Sequence, residues 1–213
     1  KEYLQNFEPD GSLADLRFTT DDNFRNTEPN KYHSAMAITK PPLTSNEIKI
    51  KFNSDTNTSG NIKNKPDVFK AVAMIHEIIH ADMYRKMLDA VKEAQINQTN
   101  LQWDNWPNGT DFDDFLESLQ NKYYGIFDAY TNFEWNTSTP TSAQHQLMAA
   151  RYRDVVKQAL TDYDPTLTDT QKEALSWLGL NEANIKAWQY YPNKSSVTST
   201  LTNIKNTYPN GCN

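Results

Sequence analysis

The chain has 213 residues, and its five Trp, eleven Tyr and nine Phe supply enough large apolar surface for one domain with a real core. A hydrophobic share of 37% excludes a disordered polymer, while a mean hydropathy of -0.81 gives the molecule a polar surface. A net charge of -6 with no Lys/Arg block argues against nucleic-acid binding, because release of phosphate counterions needs a positive face.

Residues 1–34 read as an irregular N-terminal segment with one short strand at 16–19 and a charged loop reaching Tyr32. Residues 35–39 form a second strand, ended by Lys40-Pro41-Pro42. In Glu47–Asn53, Ile48, Ile50 and Phe52 alternate with Lys49 and Lys51, which is the period of a strand with one buried face. Residues 55–64 are rich in Ser, Thr, Asn and Gly and predict a loop. From 66 to 95 the period changes: Val68, Val72, Ile75, Ile79, Met83, Met87 and Val91 fall at helical spacing, with Pro66 where a missing N–H does no harm. A loop with Trp103 and Trp106 follows, then a helix over 112–127 and an aromatic loop through Tyr130, Phe133 and Trp135. A second strong helix spans 142–160, and shorter ones are predicted over 168–177, 182–188 and 197–208. The longest apolar run, Ala71 to Ile75, is too short to cross a bilayer.

These elements describe an α+β chain, read as a single domain over 1–213 with its core at 35–164 and a helical C-terminal appendage at 165–213. The one cysteine, Cys212, excludes a Cys-ligated metal and an internal disulfide. Lys1 in place of an initiator Met implies an upstream segment: a signal peptide, a lipid-anchored leader or a tag. Export to the cell envelope or beyond is the corresponding expectation.

The chemistry lies on the long helix, in His76-Glu77-Ile78-Ile79-His80. Two histidines four apart share a helix face, so both imidazoles can reach one ion, and the glutamate beside them can act on water there. This H-E-x-x-H pattern supplies two zinc ligands and a general base. A catalytic zinc needs a third protein ligand. Met83 and Lys86 occupy the positions where a metzincin carries Gly and His, and no Glu lies in 97–104 where a thermolysin-like ligand would fall. His33 reads as a surface residue. His145 shares a predicted stripe with Ala149 and Tyr152 and is the preferred third ligand, with Asp113 as the alternative and Asp128 and Glu134 behind it. Tyr152, on the same stripe, is the candidate oxyanion donor. Asp82 reads as a solvated helix acid, with orientation of an imidazole as its other role.

With Ala81, Met83, Arg85, Lys86 and Met87 after it, the motif resembles the zincin clan of zinc metallopeptidases, and within it a SprT-like group of small bacterial proteins. Gly125-Ile126-Phe127-Asp128-Ala129-Tyr130, the Gln144-His145 helix start with Met148 and Ala149, and Gly211-Cys212 add to the likeness. The resemblance implies a small mixed sheet over the active-site helix, with Zn2+ held by His76, His80 and His145. It departs at Gln146, where relatives often carry Glu. Some relatives act at DNA, for which the acidic balance here is a poor match. The implied activity is hydrolysis of peptide bonds, with Glu77 as general base. The alternative reading is a non-catalytic zinc-binding protein of the cell surface.

Overall fold

The computed structural model describes residues 2–7, 13–43, 45–97, 110–132 and 140–208. The expectations for 98–109, for Phe133, Glu134 and Trp135, and for Cys212 lie outside the described residues.

The architecture is mixed α+β. Strands β1 (Asp15–Asp21), β2 (Ala37–Lys40) and β3 (Glu47–Asn53) form one sheet in the order β1-β3-β2. The amide of Asp15 donates to the carbonyl of Asn46 and that of Ser54 to Asp21, so β1 and β3 run parallel. Asn53 donates to Met36, which sets β2 antiparallel to β3. The alternation in β3 holds in space: Ile48, Ile50 and Phe52 are buried, while Glu47, Lys49 and Lys51 are half-buried. Because β3 is central, β1 and β2 are the edge strands of this sheet among the described residues.

Helices α1 (Glu2–Gln5) and α2 (Phe24–Thr27) are single turns. The long helix α3 (Asp67–Glu93) begins directly after Pro66. It ends in a Schellman motif, with Gln95 at φ 58, its amide on the carbonyl of Lys92 and that of Ile96 on Val91. The predicted helix over 112–127 is instead two, α4 (Thr110–Lys122) and α5 (Tyr124–Asn132). The break falls at Tyr123, whose hydroxyl donates to Asp89 on α3 at 2.5 Å, with Gly125, a weak helix former, just beyond. Tyr130, expected in a loop, is therefore helical and fully buried beside Ile126 and Ala129.

The helix predicted over 142–160 is also interrupted. It comprises α6 (Pro140–Leu147), a π-helical turn at Met148–Tyr152, and α7 (Arg153–Tyr163). Beyond it lie α8 (Asp169–Leu175), α9 (Lys186–Gln189) and α10 (Lys194–Thr207). Helix α8 starts in a capping box: Thr168 accepts from the amide of Gln171, and the Gln171 side chain accepts from that of Thr168. Among the described residues, no helix is long and apolar enough to cross a membrane.

By contact density the chain forms two compact units, Lys1–Arg17 with Thr39–Lys49 and Ile78–Leu147, and Phe18–Ile38 with Ile50–Glu77 and Met148–Asn213. The first buries Met83, Met87 and Leu88 of α3, Phe115 and Leu119 of α4, and Tyr130 of α5. The second buries Val72, Leu160, Trp177 and Leu201, so residues 165–208 share its core. In the second unit the loop predicted at 55–64 buries Asp55, Thr58, Gly60 and Asn61, ends in a 3-10 turn over Ile62–Asn64, and is held by polar bonds. Asn53 donates to the carbonyl of Ala35 at 3.0 Å and accepts from Thr58 and from the amide of Asp55. Amides of Arg25 and Asn57 donate to Asp55, holding its carboxyl below the usual carboxylate range. Gly60 closes this loop where a Cβ would lie 2.1 Å from the Ala35 oxygen, so no other residue fits there without moving backbone.

Candidate metal centre

His76 and His80 stand one turn apart on the unbroken helix α3, as their spacing predicts. His80 is 4% exposed, and its ring lies 5.0 Å, centroid to centroid, from that of His145 on α6, at an interplanar angle of 53°. One ring nitrogen from each of His76, His80 and His145 lies within 4.8 Å of the other two. Among the described residues, this trio is the cluster of ligand-type side chains able to share an ion. Asp113 is exposed on α4 and Asp128 half-buried on α5, and neither belongs to it. Imidazole nitrogens are donors that zinc binds at roughly 2.0–2.1 Å.

The electrostatics favour ligation. A metal ligand must be a neutral imidazole. Burial pushes the His80 imidazolium down to about 4, against the opposing bond to Gln144. Burial, with His80 beside it, takes His145 down to about 3. Both rings are therefore uncharged at neutral pH. A cluster of three imidazole nitrogens suits Zn2+ better than the hard cations, which select oxygen.

Glu77 follows His76 on α3, about 100° further round the helix, and its side chain is buried, at 6% exposure. The nitrogen Nδ1 of His80 lies 2.5 Å from Oε1 of Gln144, a fully buried amide whose Nε2 donates to the Tyr130 hydroxyl at 3.0 Å. Neither Gln144 nor Tyr130 carries a sequence signal for this role, since a glutamine and a core tyrosine belong to no ligand pattern. A third residue missed by sequence is Gly179, at φ +81, where a Cβ would lie 3.2 Å from Cε1 of the His76 ring.

Other expectations change with the structure. Tyr152 ends the π-helical turn and is half-buried. A π turn takes more residues per revolution than an α turn, so the stripe that put Tyr152 in register with His145 is not the spacing found. Asp82 is not a solvated acid. It is 1% exposed, accepts from Asn6 and Arg85 at 3.2 and 3.0 Å, and pairs with Lys86 at 2.7 Å. His33 is half-buried, with Nε2 at 3.0 Å from the carbonyl of Glu28. No family model matches the chain, and neither does any curated protein or solved structure.

The lowered histidines give the metal-free chain a pH-dependent stability. Between the ordinary imidazole value near 6.5 and the folded value near 4, the unfolded state takes up a proton that folded His80 refuses. Stability is thus full above about pH 6.5 and is lost as the pH falls through this window. From about pH 7.5 to about pH 5, His80 alone should remove about 2 kcal/mol. Urea denaturation in the presence of a chelator measures this, and His80→Leu should flatten the slope. Equal stability at both pH values would show that His80 titrates as an exposed imidazole does.

Proposed function

We propose that this chain is a zinc-dependent hydrolase of peptide bonds with a zincin-like site. His76, His80 and His145 are the ligands and Glu77 is the general base. The reading is carried by one observation: three imidazoles on two helices with their nitrogens within 4.8 Å, two of them on the helix that also bears a buried glutamate. A purely structural zinc site is closed by four protein ligands and needs no base.

When bound, zinc supplies Lewis acidity that polarises a carbonyl and eases deprotonation of water. The protein's residues do the rest. His80 and His145 stay neutral at working pH, and together with His76 they bring three ring nitrogens within 4.8 Å of one another. The Glu77 carboxylate takes a proton from the attacking water as its oxygen bonds to the carbonyl carbon. Glu77 then hands that proton to the amide nitrogen as the carbon–nitrogen bond breaks, leaving a carboxylic acid and an amine, which pass to carboxylate and ammonium by transfer of the acid's remaining proton. An extended peptide is the proposed substrate, with the outer strand β2 as the edge it pairs with.

Metal analysis tests the assignment. The purified chain should carry about one zinc per molecule, and His76→Ala, His80→Ala or His145→Ala should each abolish stoichiometric binding. Asp113→Ala should leave it intact. A wild-type chain without zinc, or an Asp113→Ala variant as impaired as His145→Ala, would overturn the ligand set.

A further inference from the structure

We infer that Gln144 is a positioning residue: its side-chain amide, braced by Tyr130 and Met87, holds His80 in the tautomer protonated on Nδ1 and so makes Nε2 the ring's ligating atom. The purpose of this arrangement rests on the metal reading above, but its geometry does not.

Gln144, Tyr130 and Met87 are all fully buried, so their polar groups must find partners within the protein. They form a chain. His80 Nδ1 lies 2.5 Å from Gln144 Oε1, Gln144 Nε2 lies 3.0 Å from the Tyr130 oxygen, and that hydroxyl lies 3.3 Å from the Met87 sulfur. The far end fixes its direction. A thioether sulfur only accepts, so the Tyr130 hydroxyl donates to it and offers its oxygen to the amide of Gln144. The amide nitrogen only donates, which turns the amide oxygen toward His80. An amide oxygen only accepts, so His80 must carry its proton on Nδ1. Turning the amide over would withdraw the hydroxyl proton from the sulfur and move the proton of His80 to Nε2.

The dipeptide Gln144-His145 therefore serves two imidazoles on successive residues of α6: His145 contributes its own ring, and Gln144 orients the ring of His80. A neutral amide does this without adding charge. A carboxylate in its place would favour protonation of the buried ring.

Long-range proton–nitrogen spectra of the 15N-labelled, metal-stripped chain near neutral pH test the assignment. His80 should show a protonated Nδ1 and a bare Nε2. Gln144→Leu should move the proton wholly or partly to Nε2 and weaken zinc affinity about 10–100-fold. Gln144→Glu, which keeps an acceptor for Nδ1–H, should keep the proton on Nδ1 where Gln144→Leu loses it, while the ring takes its second proton at a higher pH than in the wild type. Should Gln144→Leu not fold, Tyr130→Phe removes only the hydroxyl that orients the amide and should populate the second tautomer. A wild-type ring protonated on Nε2 overturns the inference. So does a folded Gln144→Leu or Tyr130→Phe chain with unchanged tautomer and zinc affinity. A chain that takes up no zinc yet loses the Nδ1–H tautomer in Gln144→Leu upholds it while overturning the metal reading.

Discussion

Glu77→Gln is expected to retain about one zinc per chain while losing about 10^2- to 10^4-fold in the rate of peptide cleavage. The substitution keeps the size and burial of the side chain and removes only its capacity to take a proton. Glu77 is not one of the three clustered nitrogen donors, so zinc content should not move. The pairing of the two readouts is the point. Loss of both would mean that Glu77 supports the site structurally, and cleavage at the wild-type rate would end the hydrolase reading. The assay needs an unfolded protein substrate and a matched His76→Ala control, which should lose zinc and activity together.

The largest expected effect on stability lies at Trp177. Its ring is 1% exposed, with the Arg153 guanidinium 3.7 Å over the centroid and the rings of Trp188 and Tyr191 tilted against it at 5.0 and 4.9 Å. Arg153 is itself held by Glu173 and by the Ser176 hydroxyl, and Tyr191 donates to Glu173 at 2.8 Å. Trp177→Ala removes the ring on which these groups converge and should cost about 3–5 kcal/mol, a large part of the total for a domain of this size. Trp177→Phe keeps an aromatic face for Arg153 and should cost clearly less. Urea denaturation of the two variants decides the matter. A cost below about 1 kcal/mol for Trp177→Ala would show that the cluster packs loosely.

What the sequence made legible follows from how local each signal is. The strand Glu47–Asn53 and the helix through His76 and His80 are written in short periods, and both stand within two residues of where those periods place them. Two histidines four apart on one helix meet by helical geometry alone. The third could be chosen only by likeness and by a stripe, and the stripe assumed an α-helix where the chain forms a π turn. The separation of α4 from α5 depends on a bond between Tyr123 and Asp89, residues 34 apart, which no window along the sequence contains. The burial of Asp82 escaped notice for a related reason. An acid at helical spacing from two cations reads as a surface residue until Asn6, 76 residues away, is seen to reach it.

The contact of Gly179 with the His76 ring bears on how the molecule is made. The two residues are separated by more than a hundred positions, so a chain emerging N-terminus first presents the H-E-x-x-H helix well before the turn that backs its first imidazole exists. Until that turn arrives, nothing at position 179 limits the swing of the ring. Truncation before it would leave the motif intact on paper and its geometry incomplete. On the metal reading proposed above, uptake of metal at the complete site waits until the chain has been made past position 179.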